Sequence, residues 1–166
     1  QTTRGDDSVT VIFNLDFVKW NLQMRKNICH PVFRQLGELF GMKDLYDRTH
    51  DLFRTSTIYL CSGEGELTAD PEYGVNPNGI WAWTGDESGK EGLRQKGWTI
   101  LTVVAIMLIA KRHNVDVSLM GGGDNQVLGI TISGMVRDSM NGLTDESKGV
   151  ASKIIKSFTD DLLTTF

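Results

Sequence analysis

The sequence predicts an α+β fold in which an antiparallel sheet is backed by helices. Three runs rich in β-branched residues indicate strands at residues 8–15, 115–120 and 127–132. The last two runs are joined by a short glycine-rich segment, which favours antiparallel pairing. Other stretches repeat apolar residues at intervals of three and four, as helices do. With 166 residues, 40% of them hydrophobic, the chain suffices for one globular domain or part of one.

The first predicted strand ends at Asp16. Two amphipathic packing helices are predicted next, one on each side of Gly41. Between residues 62 and 89 the periodicity disappears, and glycine, proline, asparagine and acidic residues dominate. We expect a long loop there, which is an insertion or covers a site.

One long helix is predicted over residues 91–113, and its second half is apolar nearly all round, as in a helix buried at the centre of a domain. The strands at 115–120 and 127–132 then form a hairpin around a turn-rich linker at 121–126. The last helix is predicted to start near a cap at Asp145 or Ser147. Its apolar positions fall four apart, at Val150, Ile154, Phe158, Leu162 and Phe166.

Charge and composition exclude several classes of protein. The net charge of −4 and the pI of about 5.3 argue against a free-standing RNA-binding module. The longest apolar stretch, residues 98–110, is too short to span a bilayer. Cys29 and Cys61 lie far apart and have no further Cys or His at metal-ligand spacing, so we expect neither a disulfide framework nor a zinc site. This cysteine usage fits a reducing compartment. Because the sequence starts at Gln1 without a leader, we expect both ends to be cuts.

Two aspartates are candidates for phosphoryl-transfer chemistry. Asp16 ends a strand and Asp124 lies in the hairpin linker, so neighbouring strands would bring the two carboxylates together. Two carboxylates on rigid elements can hold the Mg²⁺ ions of a two-metal site. Glycines at 121–123 allow positive φ and a close approach of the backbone. Each of these signals alone is weak evidence for such a site. More informative is the order of the elements along the chain, which is strand, long helix, hairpin and terminal helix.

Three motifs in that order resemble the polymerases of non-segmented negative-strand RNA viruses. Residues 123–126, Gly-Asp-Asn-Gln, resemble their motif C. Residues 16–21, Asp-Phe-Val-Lys-Trp-Asn, resemble their motif A and look most like the rhabdovirus-type branch. Residues 89–99 resemble the start of motif B. The resemblance implies a polymerase palm with part of the fingers over residues 1–166. In it, motif A lies near 13–21, motif B at 89–112, motif C at 119–130 and the motif D helix at 146–166.

The resemblance also implies the roles of individual residues. Asp16 and Asp124 are the expected metal-binding catalytic carboxylates for two Mg²⁺ or Mn²⁺ ions, and Asn125 takes the place of a second motif C aspartate. Asn21 falls where related palms sense the ribose of the incoming nucleotide. The other residues expected to contact nucleotide or RNA are Gly92, Arg94, Lys96, Gly123 and Gln126.

The implied function is templated RNA synthesis within a longer viral protein. RNA template, RNA product and ribonucleoside triphosphates are the expected ligands. A viral phosphoprotein and nucleoprotein-coated RNA are the expected partners of the full-length protein, and no membrane segment is expected. The expected location is the virion and the host cytoplasm or nucleus. The fragment alone should be inactive, because the basic motif that neutralises the triphosphate is expected before Gln1.

Two alternatives stay open from the sequence. A catalytically silent, endogenised viral fragment could serve as an RNA- or partner-binding protein, although intact Asp16 and Asp124 weigh against it. A host nucleotidyltransferase with a palm-like core would keep both aspartates but would not predict this motif B. Residues 85–90 fail the spacing of a phosphate loop. The tripeptide Arg-Gly-Asp at 4–6 is similar to an adhesion motif, but it is common by chance and the chain has no secretory features.

Overall fold

The structure is a computed structural model that describes residues 7–59, 69–70, 74–75, 82–85, 91–138 and 142–165. In chain order its elements are β1 (Asp7–Asp16), α1 (Trp20–Gln23), α2 (Lys26–Leu39), α3 (Leu45–Thr55), β2 (Ile58–Tyr59), β3 (Ala69–Asp70), β4 (Gly74–Val75), β5 (Ala82–Trp83), α4 (Glu91–His113), β6 (Asp116–Gly122), β7 (Asn125–Met135), β8 (Arg137–Asp138), β9 (Gly142–Leu143) and α5 (Asp145–Thr165). They form two compact units. The first comprises the chain up to Val18 and from Gln95 onward, and the second runs from Lys19 to Arg94.

The first unit contains a three-stranded antiparallel sheet in the order β1, β7, β6. Along β1, half-buried and exposed residues alternate, with the β-branched and aromatic side chains at odd positions turned inward. The central strand β7 buries Leu128, Ile130 and Ile132. The predicted α+β class and the antiparallel pairing of the first strand with the hairpin are both confirmed.

Helices α4 and α5 supply the rest of the core of this unit. Ile106 and Ile109 of α4, and Phe158 of α5, cluster with Leu128 and Ile130 of the sheet, and all are at most 2% exposed. Each such side chain contributes roughly 1.5–3 kcal/mol through removal from water. Hydrophobic packing therefore fixes the sheet whose ends carry the predicted catalytic residues.

Helix α4 matches its predicted bounds but not its predicted burial. Trp98, in the first half of α4, is fully buried, whereas Met107 is 57% and Leu108 is 55% exposed. Within the described part of the chain, the sheet and α5 cover only one side of α4. The prediction that the second half is buried all round is therefore wrong for this chain. Among the described residues, no helix is long and apolar enough to cross a membrane.

The ends of the hairpin and of α5 also differ from prediction. Both strands extend into the glycine-rich linker, so that the turn itself contains only Gly123 and Asp124. Helix α5 is capped by Thr144, whose hydroxyl accepts the Ser147 N–H at 3.3 Å. The hydroxyl of Ser147 faces inward and accepts the Val136 N–H at 2.9 Å. The predicted caps Asp145 and Ser147 are therefore both wrong.

The second unit contains α1, α2 and α3. The two packing helices on either side of Gly41 are confirmed, while the one-turn helix α1 was not predicted. Trp20, Phe33 and Phe53 are buried, each 3% exposed. Most of the predicted loop at 62–89 lies outside the described residues. Its described parts include the two-residue strands β3, β4 and β5.

Candidate active site

Asp16 and Asp124 lie side by side at one end of the sheet. Asp16, the last residue of β1, is paired across the sheet with Asn125, the first residue of β7. The backbone N–H of Phe17 donates to the carbonyl oxygen of Asp124 at 3.3 Å, which continues the pairing one step further. The motif A and motif C segments are thus adjacent, as the order of the elements predicted.

The hairpin turn depends on backbone conformations that suit glycine. Gly122 pairs with Asn125, which leaves Gly123 and Asp124 as a two-residue turn. Gly123 has a φ of 66°, and a positive φ at the first turn position is typical of a type II′ hairpin. Gly121 has a φ of 152°, and a Cβ there would lie 2.3 Å from the carbonyl oxygen of Asn125. Glycine at 121 therefore permits the close approach of the two strands beside Asp124.

Side-chain amides hold the turn from both sides. Gln126 is only 3% exposed, and its Nε2 donates to the carbonyl oxygen of Gly123 at 3.1 Å. Asn125 is exposed, and its Nδ2 donates to Oδ1 of Asp124 at 3.0 Å. The amide of Asn125 therefore orients the Asp124 carboxylate, while the amide N–H of Gln126 is already hydrogen-bonded to the backbone of the turn. Contact of Gln126 and Gly123 with RNA stays a prediction.

Thr99 is a residue of the site that the sequence interpretation did not single out. Its Oγ1 accepts the backbone N–H of Gly123 at 3.0 Å and donates to the carbonyl oxygen of Gln95 at 2.8 Å. The motif B helix α4 is thereby hydrogen-bonded to the motif C turn. A threonine at the start of an apolar helical stretch could have signalled this role, because a part-buried hydroxyl requires a partner.

The two carboxylates are accessible and suit a hard cation. Asp16 is exposed and Asp124 is half-buried. Within the described ranges, neither carboxylate forms an ion pair with a basic side chain. Also within those ranges, no group of three or more His, Cys, Asp or Glu residues gathers around one point. Two aspartate oxygens fit Mg²⁺ or Mn²⁺, which take their remaining ligands from water and phosphates.

Arg94 has different surroundings from those expected of a phosphate ligand. It belongs to the second unit and is 5% exposed, with its guanidinium 4.8 Å from the ring centres of both Phe33 and Phe53. It donates to the Tyr46 carbonyl oxygen at 3.2 Å and to the hydroxyl of Thr49. Burial lowers the pKa of Arg94 to about 10, so the group stays protonated at neutral pH. Its contacts are those of a packing residue, and phosphate binding by Arg94 stays a prediction.

The remaining predicted residues are on the surface. Lys96 and Gly92 are exposed on α4, and a Cβ at Gly92 would meet only open space. Asn21 is half-buried on α1 in the second unit. Their contacts with nucleotide or RNA stay predictions.

Comparison with known proteins agrees with the motifs. The whole chain, residues 1–166, matches the family model described as Mononegavirales RNA dependent RNA polymerase. It is 78% identical over its full length to RNA-directed RNA polymerase L of Taro vein chlorosis virus, of which it covers 9%. The corresponding protein of Maize mosaic virus is 77% identical, again over the full chain and 9% of that protein. RNA-directed RNA polymerase L of Vesicular stomatitis Indiana virus is 36% identical over 77% of the chain and 6% of that protein.

The chain thus spans less than a tenth of the length of these relatives. The family model covers every residue of the chain. In the structure, the strand that carries the motif A aspartate is paired with the hairpin that carries motif C. The resemblance inferred from motifs A, B and C is therefore confirmed. The chain belongs to the RNA-dependent RNA polymerase family of the Mononegavirales.

Proposed function

We propose that this chain forms the catalytic centre of a larger RNA-directed RNA polymerase, with Asp16 and Asp124 as its essential carboxylates. The observation that carries the proposal is the pairing of Asp16 with Asn125, which sets the motif A aspartate beside the motif C turn. Both carboxylates are accessible, and among the described residues neither forms an ion pair with a basic side chain. Accessible aspartate oxygens are suitable ligands for a hard cation.

The reaction is the attack of an RNA 3′-hydroxyl on the α-phosphorus of a ribonucleoside triphosphate. The hydroxyl loses its proton to water, a new P–O bond forms, the bond from the α-phosphorus to the oxygen bridging to the β-phosphate breaks, and pyrophosphate leaves. Two Mg²⁺ or Mn²⁺ ions, when bound by Asp16 and Asp124, supply Lewis acidity toward the hydroxyl and the triphosphate. The amide of Asn125 orients the Asp124 carboxylate, and Thr99 and Gln126 hold the turn in place. Preorganisation of this kind avoids a reorganisation cost when the substrate binds.

The substrates follow from this reaction. RNA serves as template and product, and ribonucleoside triphosphates as donors. Asn21 is assigned to the ribose of the incoming nucleotide, because an amide can pair with its 2′-hydroxyl. Lys96 and the exposed start of α4 at Gly92 are assigned to the RNA or triphosphate. A phosphoprotein cofactor and nucleoprotein-coated RNA are proposed as partners of the whole polymerase, acting in the virion and in the infected cell.

The experiment compares three substitutions in a full-length polymerase that carries this segment. Asp16→Asn and Asp124→Asn remove a charge at nearly constant volume, and each should reduce templated nucleotide incorporation to background. Asp116→Asn is the matched control, because Asp116 is an exposed aspartate at the opposite end of the same hairpin. It should retain activity.

The same assay addresses the catalytically silent alternative. If the unaltered protein incorporates nucleotides in the order that the template specifies, both a silent fragment and a non-templated transferase are excluded. Normal incorporation by a folded Asp16→Asn protein would contradict the proposed role of that carboxylate.

A further inference from the structure

Helix α4 has an apolar stripe on the side that faces away from the core of its unit. The stripe consists of Ile100, Val104, Met107 and Leu108, which are between 39% and 57% exposed, and we call it the α4 stripe. The four residues recur at intervals of three and four, so they share one face of the helix. All of them belong to the first compact unit, which resumes at Gln95.

The opposite side of α4 provides the packing inside the unit. Thr102, Ile106 and Ile109 recur at the same intervals and are at most 2% exposed. The two isoleucines belong to the core that the sheet and α5 complete. The α4 stripe therefore takes no part in that core. Large apolar side chains that adjoin one another on a surface mark an interaction site, whereas scattered ones need no explanation.

A cavity adjoins the end of the α4 stripe. It measures about 480 Å³, and Met107 belongs to both the stripe and the wall of the cavity. Ala110, Val115 and Val117 add apolar lining, and Lys111 is among the polar groups. A row of side chains four residues apart packs into the grooves of a second helix, and a cavity beside it can hold one large anchoring side chain.

The other occupant is argued from the length of polypeptide that accompanies such a segment. The chain spans 9% of its 78% identical relative, so more than nine tenths of a protein of that kind lies outside this segment. A segment of the same polypeptide has a high effective concentration at the stripe and loses less translational freedom on docking than a separate molecule does. The polymerase's own polypeptide is therefore favoured over a second copy or another protein.

The charge at the end of the stripe adds a further requirement. Lys111 is exposed, and among the described residues no acidic side chain lies within ion-pair distance of it. An acidic residue at the matching end of the partner would complement this charge and fix the direction in which the partner docks.

We propose that the α4 stripe and its cavity form an internal interface of the full-length polymerase, covered by an amphipathic helix from outside residues 1–166. That helix has apolar residues three and four apart, a large apolar side chain for the cavity and an acidic residue near Lys111. Because α4 also carries Thr99, the interface holds the helix to which the motif C turn is hydrogen-bonded. The proposal rests on the proposed function only for the existence of the larger polymerase.

The first test is photochemical cross-linking in a full-length polymerase that carries this segment. The photo-reactive residue p-benzoylphenylalanine replaces Met107 and, in a control protein, Lys153, an exposed residue of α5. Linked peptides are identified by mass spectrometry after irradiation. Position 107 should link within one polypeptide to a segment outside residues 1–166 that has apolar residues at helical spacing and an acidic residue. Position 153 should not link to that segment.

The second test measures hydrogen exchange in the same full-length protein. Met107→Glu/Leu108→Glu places charges on the stripe without altering the buried side of α4, and Met107→Leu/Leu108→Met is the control that conserves apolar volume. The glutamate variant should speed exchange in the cross-linked segment about tenfold, with peptides covering residues 116–135 unchanged. The control should leave both unchanged. The cross-link decides the proposal if the glutamate variant does not fold.

Several outcomes would overturn the proposal. They are the absence of any cross-link from position 107, links only to residues 1–166, and links only to a second copy or to a separate protein. Equal exchange in the glutamate variant and its control would overturn it too. Failure of the catalytic assignment has a different signature, because a folded Asp16→Asn polymerase would then retain nucleotide incorporation whatever the cross-links show.

Discussion

The backbone N–H of Gly123 donates to the hydroxyl of Thr99 across 3.0 Å. The donor lies in the motif C turn beside Asp124, and the acceptor lies on α4, the helix that carries motif B. Gly123 is buried, so its N–H has no ready replacement partner in water. The position of the Asp124 carboxylate therefore depends on one threonine in a segment distant in the sequence.

Thr99→Val should loosen the turn, since valine has the shape of threonine but accepts no hydrogen bond. The expected cost is about 1–3 kcal/mol, typical of a buried N–H left unpaired. Hydrogen exchange of peptides covering residues 116–135 should be faster, and nucleotide incorporation by the full-length polymerase should fall. Thr99→Ser keeps the hydroxyl and should behave much like the unaltered protein. Equal exchange in the valine and serine variants would remove Thr99 from the site.

Gly121→Ala should disrupt the hairpin, whereas Gly122→Ala should be tolerated. A Cβ at 121 would lie 2.3 Å from the Asn125 carbonyl oxygen, and it would sit on a residue with a φ of 152°. The backbone conformation alone costs roughly 1–3 kcal/mol for an L-residue. A Cβ at Gly122 meets nothing within 4 Å. The measurement is the yield of folded protein and the polymerase activity of each variant, and full activity in the Gly121→Ala protein would contradict the expected clash.

Asn125→Asp should change the metal dependence of the reaction without unfolding the turn. The substitution replaces an amide that donates to Asp124 at 3.0 Å with a second carboxylate at the same place. Without a cation the two acids repel, and with one they provide an additional charged oxygen ligand. We expect altered Mg²⁺ and Mn²⁺ optima and reduced turnover, read from incorporation against the concentration of each ion. Unaltered profiles for both ions would show that Asn125 does not act on the metal site.

Arg94→Ala and Lys96→Ala should have opposite profiles. The substitution at 94 removes a guanidinium packed between Phe33 and Phe53, at a cost of roughly 2 kcal/mol. Local stability should fall, as measured by hydrogen exchange of peptides covering α2 and α3. Lys96 is exposed, so its removal should leave stability unchanged and weaken RNA binding. A stable Arg94→Ala protein with weakened RNA binding would instead support phosphate binding by Arg94.

Cys29 should resist alkylation in the folded protein. It is fully buried, and burial raises the pKa of its thiol to about 11, although the Arg94 cation opposes this shift. Because the thiolate is the reactive form, only about one thiol in 1000 is ionised at pH 8. Mass spectrometry of the peptide containing Cys29, after iodoacetamide treatment in native buffer and in denaturant, should show labelling only in denaturant. Rapid native labelling would mean that α2 opens readily.

The parts of the fold that follow from local sequence were predictable. The strand that leads to Asp16 is signalled by its own run of β-branched residues, and the helix over residues 91–113 by its own spacing of apolar residues. Each signal is local, because it lies within the element that it predicts. The turn was predicted too long, because glycines at 121 and 122 indicated a linker although the backbone there still pairs with β7. Glycine allows a strand as well as a turn when a partner strand approaches closely.

The surroundings of individual side chains were less predictable. Arg94 is buried by phenylalanines from α2 and α3, and no pattern around residue 94 reports on them. Thr144 rather than Asp145 caps α5, because the choice among neighbouring polar residues depends on which one keeps an extended backbone. The pairing of Asp16 with Asn125 was anticipated only through the order of the motifs, since strand register depends on contacts far apart in the chain.

The alignment of β1 with β7 has a consequence for insertions and deletions. Asp16, Asn125 and Gly122 form one row across the exposed face of the sheet. Because successive residues of a strand point to opposite faces, deletion of one residue from β1 would turn Asp16 toward the core. Deletion of two would restore its direction but leave it roughly 7 Å from its place in the row. We therefore expect this sheet to tolerate changes of residue type in β1 better than changes in the number of residues between Val9 and Asp16.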